Sequence, residues 1–312
     1  MIIPANVILE VSALCNLSCL GCALHGPHRF VTRPSGNMKA AVWRAVIKDL
    51  GSLEQKVSLT THGGGEPLLH PALRDILRYA RTFSNLEIGF LTNGMLLDKS
   101  WSDFLTDIKL DWIAFSIDGV LPETHDRIRK YSDLKRVEEN LDTLLAVKRR
   151  KKSVFPQIRL NMVAYDEIVD QQEAFVEKWI HKVDAVMISH YRQPPESKRW
   201  PGITIERKPC NLLWYQAVVS WDGRLALCCE DFNVDFSPGR IAPGNSLLSL
   251  WNNEEMSRVR DLHTRRDYDQ HSMCRRCDTW AEDYSRQEYV DDERGFRVVK
   301  TPSQIVYSRE PE

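Results

Sequence analysis

Six repeats of a strand–turn–helix rhythm fill the chain as far as residue 190, and then the rhythm stops. β-rich apolar runs occur at 7–11, 57–61, 86–92, 112–117, 157–163 and 185–189. Helical periodicity lies between them. Within 38–50, Val42, Val46 and Leu50 share a face with Trp43 and Ile47 beside it. Within 134–147, Leu134, Val137, Leu141, Leu144 and Leu145 form one stripe, with Arg, Lys and Glu opposite. Such a series predicts parallel strands joined by helical crossovers. Six units fall short of the eight of a complete barrel, so the expected class is α/β, a partial (β/α)6 TIM-like barrel. Ligands of such folds gather at the C-terminal strand ends.

Beyond 191–195 prolines cluster and the texture changes. A β-hairpin is expected from 214–220 and 224–229, turned by Trp221-Asp222-Gly223. One helix is expected over 247–263, then a charged loop. The last twenty or so residues are charged and poorly patterned, which predicts a loosely held tail. The expected division is a barrel over 1–195, a small domain with hairpin and helix over 196–290, and a tail over 291–312.

The chain has 312 residues, with 42 Lys and Arg against 43 Asp and Glu. That balance gives no reason to expect nucleic acid or a membrane surface as partner. No run reaches the roughly 18 apolar residues of a membrane span. The first residues lack the basic region of a signal peptide. A cytoplasmic location is expected, where clustered cysteines are more often metal ligands than disulfides.

The eight cysteines form two groups. Cys15, Cys19 and Cys22 follow the first strand within eight residues. Three thiolates leave a cubane iron–sulfur cluster one protein ligand short, so one iron stays open to a ligand. Zinc completed by His25 or His28 is the competing reading of the spacing. The second group is Cys210, Cys228, Cys229, Cys274 and Cys277. The hairpin brings Cys210 and Cys228 together, and Cys274-x-x-Cys277 supplies a second pair. Four thiolates complete a closed site for iron–sulfur or zinc. Cys228 and Cys229 are adjacent, and either one could be the hairpin's ligand on spacing alone.

These motifs resemble those of radical S-adenosylmethionine (radical SAM) enzymes. The three cysteines are spaced three and two apart after strand one, as in that family. Gly64-Gly65-Glu66-Pro67 resembles its Gly-Gly-Glu-Pro motif, which holds the cofactor's amino group. Asn93, in Thr92-Asn93-Gly94, falls where family members place groups near the ribose. Ser116 and Asp118, with Arg127 and Arg129 downstream, resemble the stretch that meets ribose and carboxylate. One departure is Gly21, where an aromatic or bulky residue usually precedes the third cysteine near the adenine. The second group is similar to the shortened "twitch" form of the SPASM domain, with one auxiliary 4Fe–4S cluster on Cys210, Cys228, Cys274 and Cys277. The segment 245–252 is similar to the one that follows the hairpin there.

The resemblance implies two 4Fe–4S clusters and S-adenosylmethionine, cleaved to a 5′-deoxyadenosyl radical that abstracts a substrate hydrogen atom. It implies an oxidoreductase of natural product biosynthesis, acting on an alcohol C–H of an aminocyclitol, amino sugar or nucleoside-type substrate. The auxiliary cluster takes the electron, and a flavodoxin or ferredoxin supplies reducing electrons. The alternatives are a radical epimerase with Cys229 as hydrogen donor and a peptide-modifying maturase. A zinc-stabilised binding module without catalysis would have to treat the other motifs as coincidence. His190 and Tyr191, at the end of the sixth strand, are the expected catalytic cavity residues, and Glu10 and Arg192 are possible bases at strand ends.

Overall fold

The structure is a computed structural model that describes residues 1–191 and 205–309. Arg192 and the 195/196 boundary lie outside the described residues. Six strands, β1 (Asn6–Leu9), β2 (Val57–Thr60), β3 (Leu86–Thr92), β4 (Trp112–Ser116), β5 (Gln157–Ala164) and β6 (Ala185–His190), pair in parallel in chain order. The helices between them are α1 (Ala40–Gly51), α2 (Leu73–Arg81), α3 (Lys99–Asp107), α4 (Pro122–Ile128), α5 (Leu134–Lys151) and α6 (Gln172–Trp179). The expected apolar stripes are the buried ones: Trp43, Val46, Ile47 and Leu50 of α1, and Leu134, Val137, Leu141, Leu144 and Val147 of α5. Each such side chain contributes about 1.5–3 kcal/mol of burial.

β1 and β6 do not meet, so the barrel is open. The edge of β1 is taken by β7 (Gln216–Val219), which runs parallel to it and turns into the antiparallel β8 (Leu225–Ala226). The expected hairpin is therefore welded to the barrel sheet. Ahead of it, α7 (Leu212–Tyr215) follows Cys210. Alternation along β1 separates two environments. Val7 and Leu9 are fully buried in the core, while Ile8 and Glu10 line a cavity.

Two expectations are corrected. The single helix over 247–263 is two helices, α8 (Leu247–Trp251) and α9 (Glu254–Thr264), broken at an Asn-Asn pair. Asn253 caps α9, its Oδ1 accepting from Met256 N at 3.0 Å. The stretch over 291–312 is not a loose tail across its described part. β9 (Gln287–Asp291), β10 (Phe296–Lys300) and β11 (Gln304–Arg309) form a meander, and β11 pairs antiparallel with β6. Phe296 and Val298 are buried under it. Among the described residues no helix is long and apolar enough to cross a membrane.

Candidate active site

The first cysteine loop is shaped by its neighbours. Cys19 pairs with Arg129 in a two-rung antiparallel ladder, Ser18 opposite Lys130 and Cys19 opposite Arg129. Backbone N–H groups of Leu17 and His25 point at Cys15 Sγ and Cys22 Sγ at 3.4 and 3.3 Å. His25 commits its Nε2 to the Gly64 carbonyl at 3.0 Å, and His28 is exposed. The loop thus offers three soft thiol donors with N–H support, a donor set that suits a cubane with one open iron. Burial pushes the Cys15 thiol up to about 12, so a bound metal's charge is what makes it a thiolate at neutral pH.

The Gly-rich loop after β2 lies against this segment. Glu66 N donates to Leu14 O at 2.8 Å. A Cβ on Gly65 would sit 2.3 Å from that carbonyl and 2.7 Å from Leu14 N. Backbone cannot yield as a flexible side chain would, so Gly65→Ala must move the loop that leads into Cys15. We expect at least a tenfold loss of S-adenosylmethionine affinity for Gly65→Ala, read by equilibrium dialysis of the reconstituted protein.

Glu66 is buried, and burial raises its pKa. Its carboxylate accepts from Thr92 Oγ1 at 2.8 Å, Asn93 N at 2.8 Å and Leu68 N at 3.1 Å. A carboxylate has about four lone-pair sites, so one remains for a ligand. Pro67 is buried in the first turn after it. Asn93 Nδ2 donates to Asn16 Oδ1 at 2.9 Å, tying the end of β3 to the cysteine loop.

Arg129 and Asp118 form a buried ion pair at 2.7 Å, with side chains 11% and 1% exposed. Asp118 also accepts from Val163 N at 2.7 Å, and Arg129 Nη1 lies 3.9 Å from Cys19 Sγ. Arg127 is exposed on α4 and stands away from this group. Ser116 is half-buried at the end of β4. His190 is also exposed, contrary to its expected place in a cavity. Tyr191 turns inward and packs on Tyr165, with ring centroids 4.9 Å apart. A Cβ on Gly21 would lie 2.3 Å from Tyr191 Cε2 and 2.5 Å from Tyr165 Oη. Gly21 is thus the room that two tyrosines from β5 and β6 occupy. Tyr165 was not legible as a site residue, although it directly follows β5.

The second cysteine group surrounds a cavity of about 430 Å3 whose walls include Cys210, Cys228, Cys274 and Cys277. Cys229 is not among its lining residues. Arg207 Nη2 donates to Cys274 O at 2.5 Å, and His263 Nδ1 accepts from Cys210 N at 3.1 Å, fixing two of the four thiols' backbones. Burial pushes the Cys274 thiol up to about 12 and raises Cys228 and Cys210. Four thiols around one cavity are a donor set that suits a closed cluster, although among the described residues no three such side chains are gathered closely enough to hold a single metal ion. A second cavity of about 310 Å3 lies at the β1 edge of the barrel, between β1, the hairpin and the Gly-rich loop, lined by Ile8, Glu10, His62, Gly64, Cys228 and Cys229 among others and by no residue of β3 to β6. Cys228 belongs to both cavities and is the wall between them.

A family model described as the radical SAM superfamily matches residues 9–178. The chain belongs to that superfamily. A second model, the SPASM iron–sulfur cluster-binding domain, matches residues 210–278. Together they bring S-adenosylmethionine, the 4Fe–4S cluster that binds it, and an auxiliary 4Fe–4S cluster. A probable GTP 3′,8-cyclase from Methanococcus maripaludis is 28% identical over 192 residues. The match covers 61% of this chain and only 60% of that relative. BtrN in complex with AdoMet and 2-DOIA has the same fold at TM-score 0.59 and 17% identity, over 88% of this chain and 93% of BtrN. anSMEcpe with bound AdoMet reaches TM-score 0.66 at 17% identity, over 89% of this chain and 87% of that one. At such identities the likeness is one of fold. Within this radical SAM frame, the first cysteine loop, the Gly-rich loop and the Arg129–Asp118 pair stand together at one end of the barrel.

Proposed function

We propose that this radical SAM enzyme oxidises an alcohol C–H of a small polyhydroxylated molecule, such as an aminocyclitol or amino sugar. The observation that carries the reading is the shared wall at Cys228: the barrel cavity and the four-thiol cavity adjoin there. When bound, the cofactors supply a 5′-deoxyadenosyl radical and, in the second cavity, an electron acceptor. The protein's part is placement. Cys15, Cys19 and Cys22 hold the first cluster, and Cys210, Cys228, Cys274 and Cys277 hold the second. Gly64, Gly65, Glu66 and Pro67 shape the cofactor's amino end, Arg129 offers a fork for its carboxylate, and Asn93 and Ser116 border its ribose. Asp118 orients Arg129. Tyr165 and Tyr191 offer an aromatic face beside Gly21. The barrel cavity, about 310 Å3, is at the small-molecule end of ligand sites. BtrN, solved in complex with AdoMet and 2-DOIA, has the same fold. The cytoplasm and a flavodoxin or ferredoxin donor belong to this reading, as does the division of the chain near 195.

Cys229 lines the barrel cavity, which favours a second reading in which its thiol returns a hydrogen atom and the reaction is an epimerisation. Turnover in D2O separates the two. Oxidation gives a carbonyl and no solvent deuterium at carbon. Epimerisation gives deuterated product without net oxidation, and Cys229→Ala stops it. A product that is neither, formed on a peptide, would discard both.

A further inference from the structure

The barrel cavity contains several groups that could serve as a proton acceptor, and their hydrogen bonds sort them. Glu10 accepts from Arg33 Nη2 at 2.6 Å, Arg33 Nη1 at 2.9 Å, Gly64 N at 2.8 Å, Trp221 N at 3.0 Å and Ser220 Oγ at 3.2 Å. Five donors exceed the lone-pair sites of one carboxylate, so Glu10 is a structural knot. Asp231 is also committed, accepting from Asp235 N at 2.8 Å and Phe236 N at 3.2 Å. His62 differs. It lines the same cavity, two residues past the end of β2, and its Nδ1 is buried with no hydrogen-bond partner. Buried polar atoms are nearly always satisfied, and an orphan in a native site needs an explanation. Burial pushes its pKa down to about 4, so the ring is neutral and keeps a lone pair at neutral pH.

We propose that His62 is the catalytic base of this enzyme, its imidazole accepting the hydroxyl proton of the substrate in the barrel cavity that it lines. The inference rests on the alcohol-oxidation reading. In the balanced step, the carbinol C–H has already gone to the 5′-deoxyadenosyl radical, the O–H bond breaks to His62, the C=O forms, and one electron leaves to the auxiliary 4Fe–4S cluster. Cys228 and His62 line the same cavity, so the proton acceptor and a ligand of the second cluster border one site.

The test uses reconstituted holoenzyme, His62→Gln and His62→Ala, with carbinol-deuterated 2-deoxystreptamine as probe. Binding of the probe is read by calorimetry without reductant, and deuterium in 5′-deoxyadenosine and carbonyl product are read after reduction. His62→Gln is expected to bind the probe within about threefold of wild type and still transfer deuterium. Its carbonyl formation should fall about 100-fold or more, and imidazole should restore His62→Ala. Carbonyl formation near the wild-type rate in His62→Gln overturns the assignment while the oxidation reading survives. Loss of probe binding and of deuterium transfer together makes His62 a binding group and also overturns it. If wild type transfers no deuterium from the probe or from deuterated amino sugars, the oxidation reading fails and His62 loses this role with it.

Discussion

Cys228→Ala is expected to lose about four of eight irons per chain, as removal of one of two cubane clusters implies, and with them all carbonyl product. Cys229→Ala is expected to keep the full iron content. The contrast follows from placement. Cys228 shares a cavity with Cys210, Cys274 and Cys277, whereas Cys229 lines only the barrel cavity. The second cluster also has structural weight, because its cysteines tie α7, the hairpin and the 274–277 turn around one void. We therefore expect Cys228→Ala to unfold at lower urea as well. Iron analysis and a urea midpoint on the same two samples check both statements. Equal iron loss in the two variants would remove the distinction between neighbouring thiols.

The second large effect belongs to Arg129. Arg129→Met leaves Asp118 1% exposed, with its carboxylate supported by Val163 N but by no cation. Breaking a buried ion pair from one side costs about 3–5 kcal/mol. The same change removes the guanidinium that faces Cys19 and the fork proposed for the cofactor carboxylate. Affinity for S-adenosylmethionine should fall at least tenfold. Arg127→Met, two residues away and exposed, should stay within about 0.5 kcal/mol of wild type. Chemical denaturation and equilibrium dialysis of both variants measure the difference. Parity between Arg127 and Arg129 would contradict the site geometry.

Much of this was legible in the chain itself. The six parallel strands follow from apolar runs between periodic helices, because a buried parallel strand is continuously apolar and a crossover helix is striped. The cysteine groups and the Gly-rich loop were legible because their chemistry dictates their spacing. What was missed depends on long-range pairing. Strand β11 finds its partner in β6, more than a hundred residues earlier; its Ile305-Val306-Tyr307 run is a short β-rich signal, but nothing local names the edge it joins. The break between α8 and α9 had a signal, Asn252-Asn253, since such residues favour caps over helix interiors. Choosing Arg129 over Arg127 needed the two-rung ladder with Cys19. His62 lies on the inward alternation of β2 with Ser58 and Thr60, yet nothing local says that its Nδ1 has no partner. His190 and Tyr191 are sequence neighbours with opposite fates, because a strand end turns successive side chains to opposite faces.

The central claim is that two separate cysteine sets each hold a cluster, with Cys228 as the wall beside the substrate. The most direct measurement is iron and sulfide content after Cys15, Cys19 and Cys22 are all replaced by alanine and the protein is reconstituted without oxygen. The account predicts that about four irons remain per chain, one cubane, held by the second set. Retention of zinc with no iron would contradict it, because the second site would then be structural and could not accept an electron from the substrate.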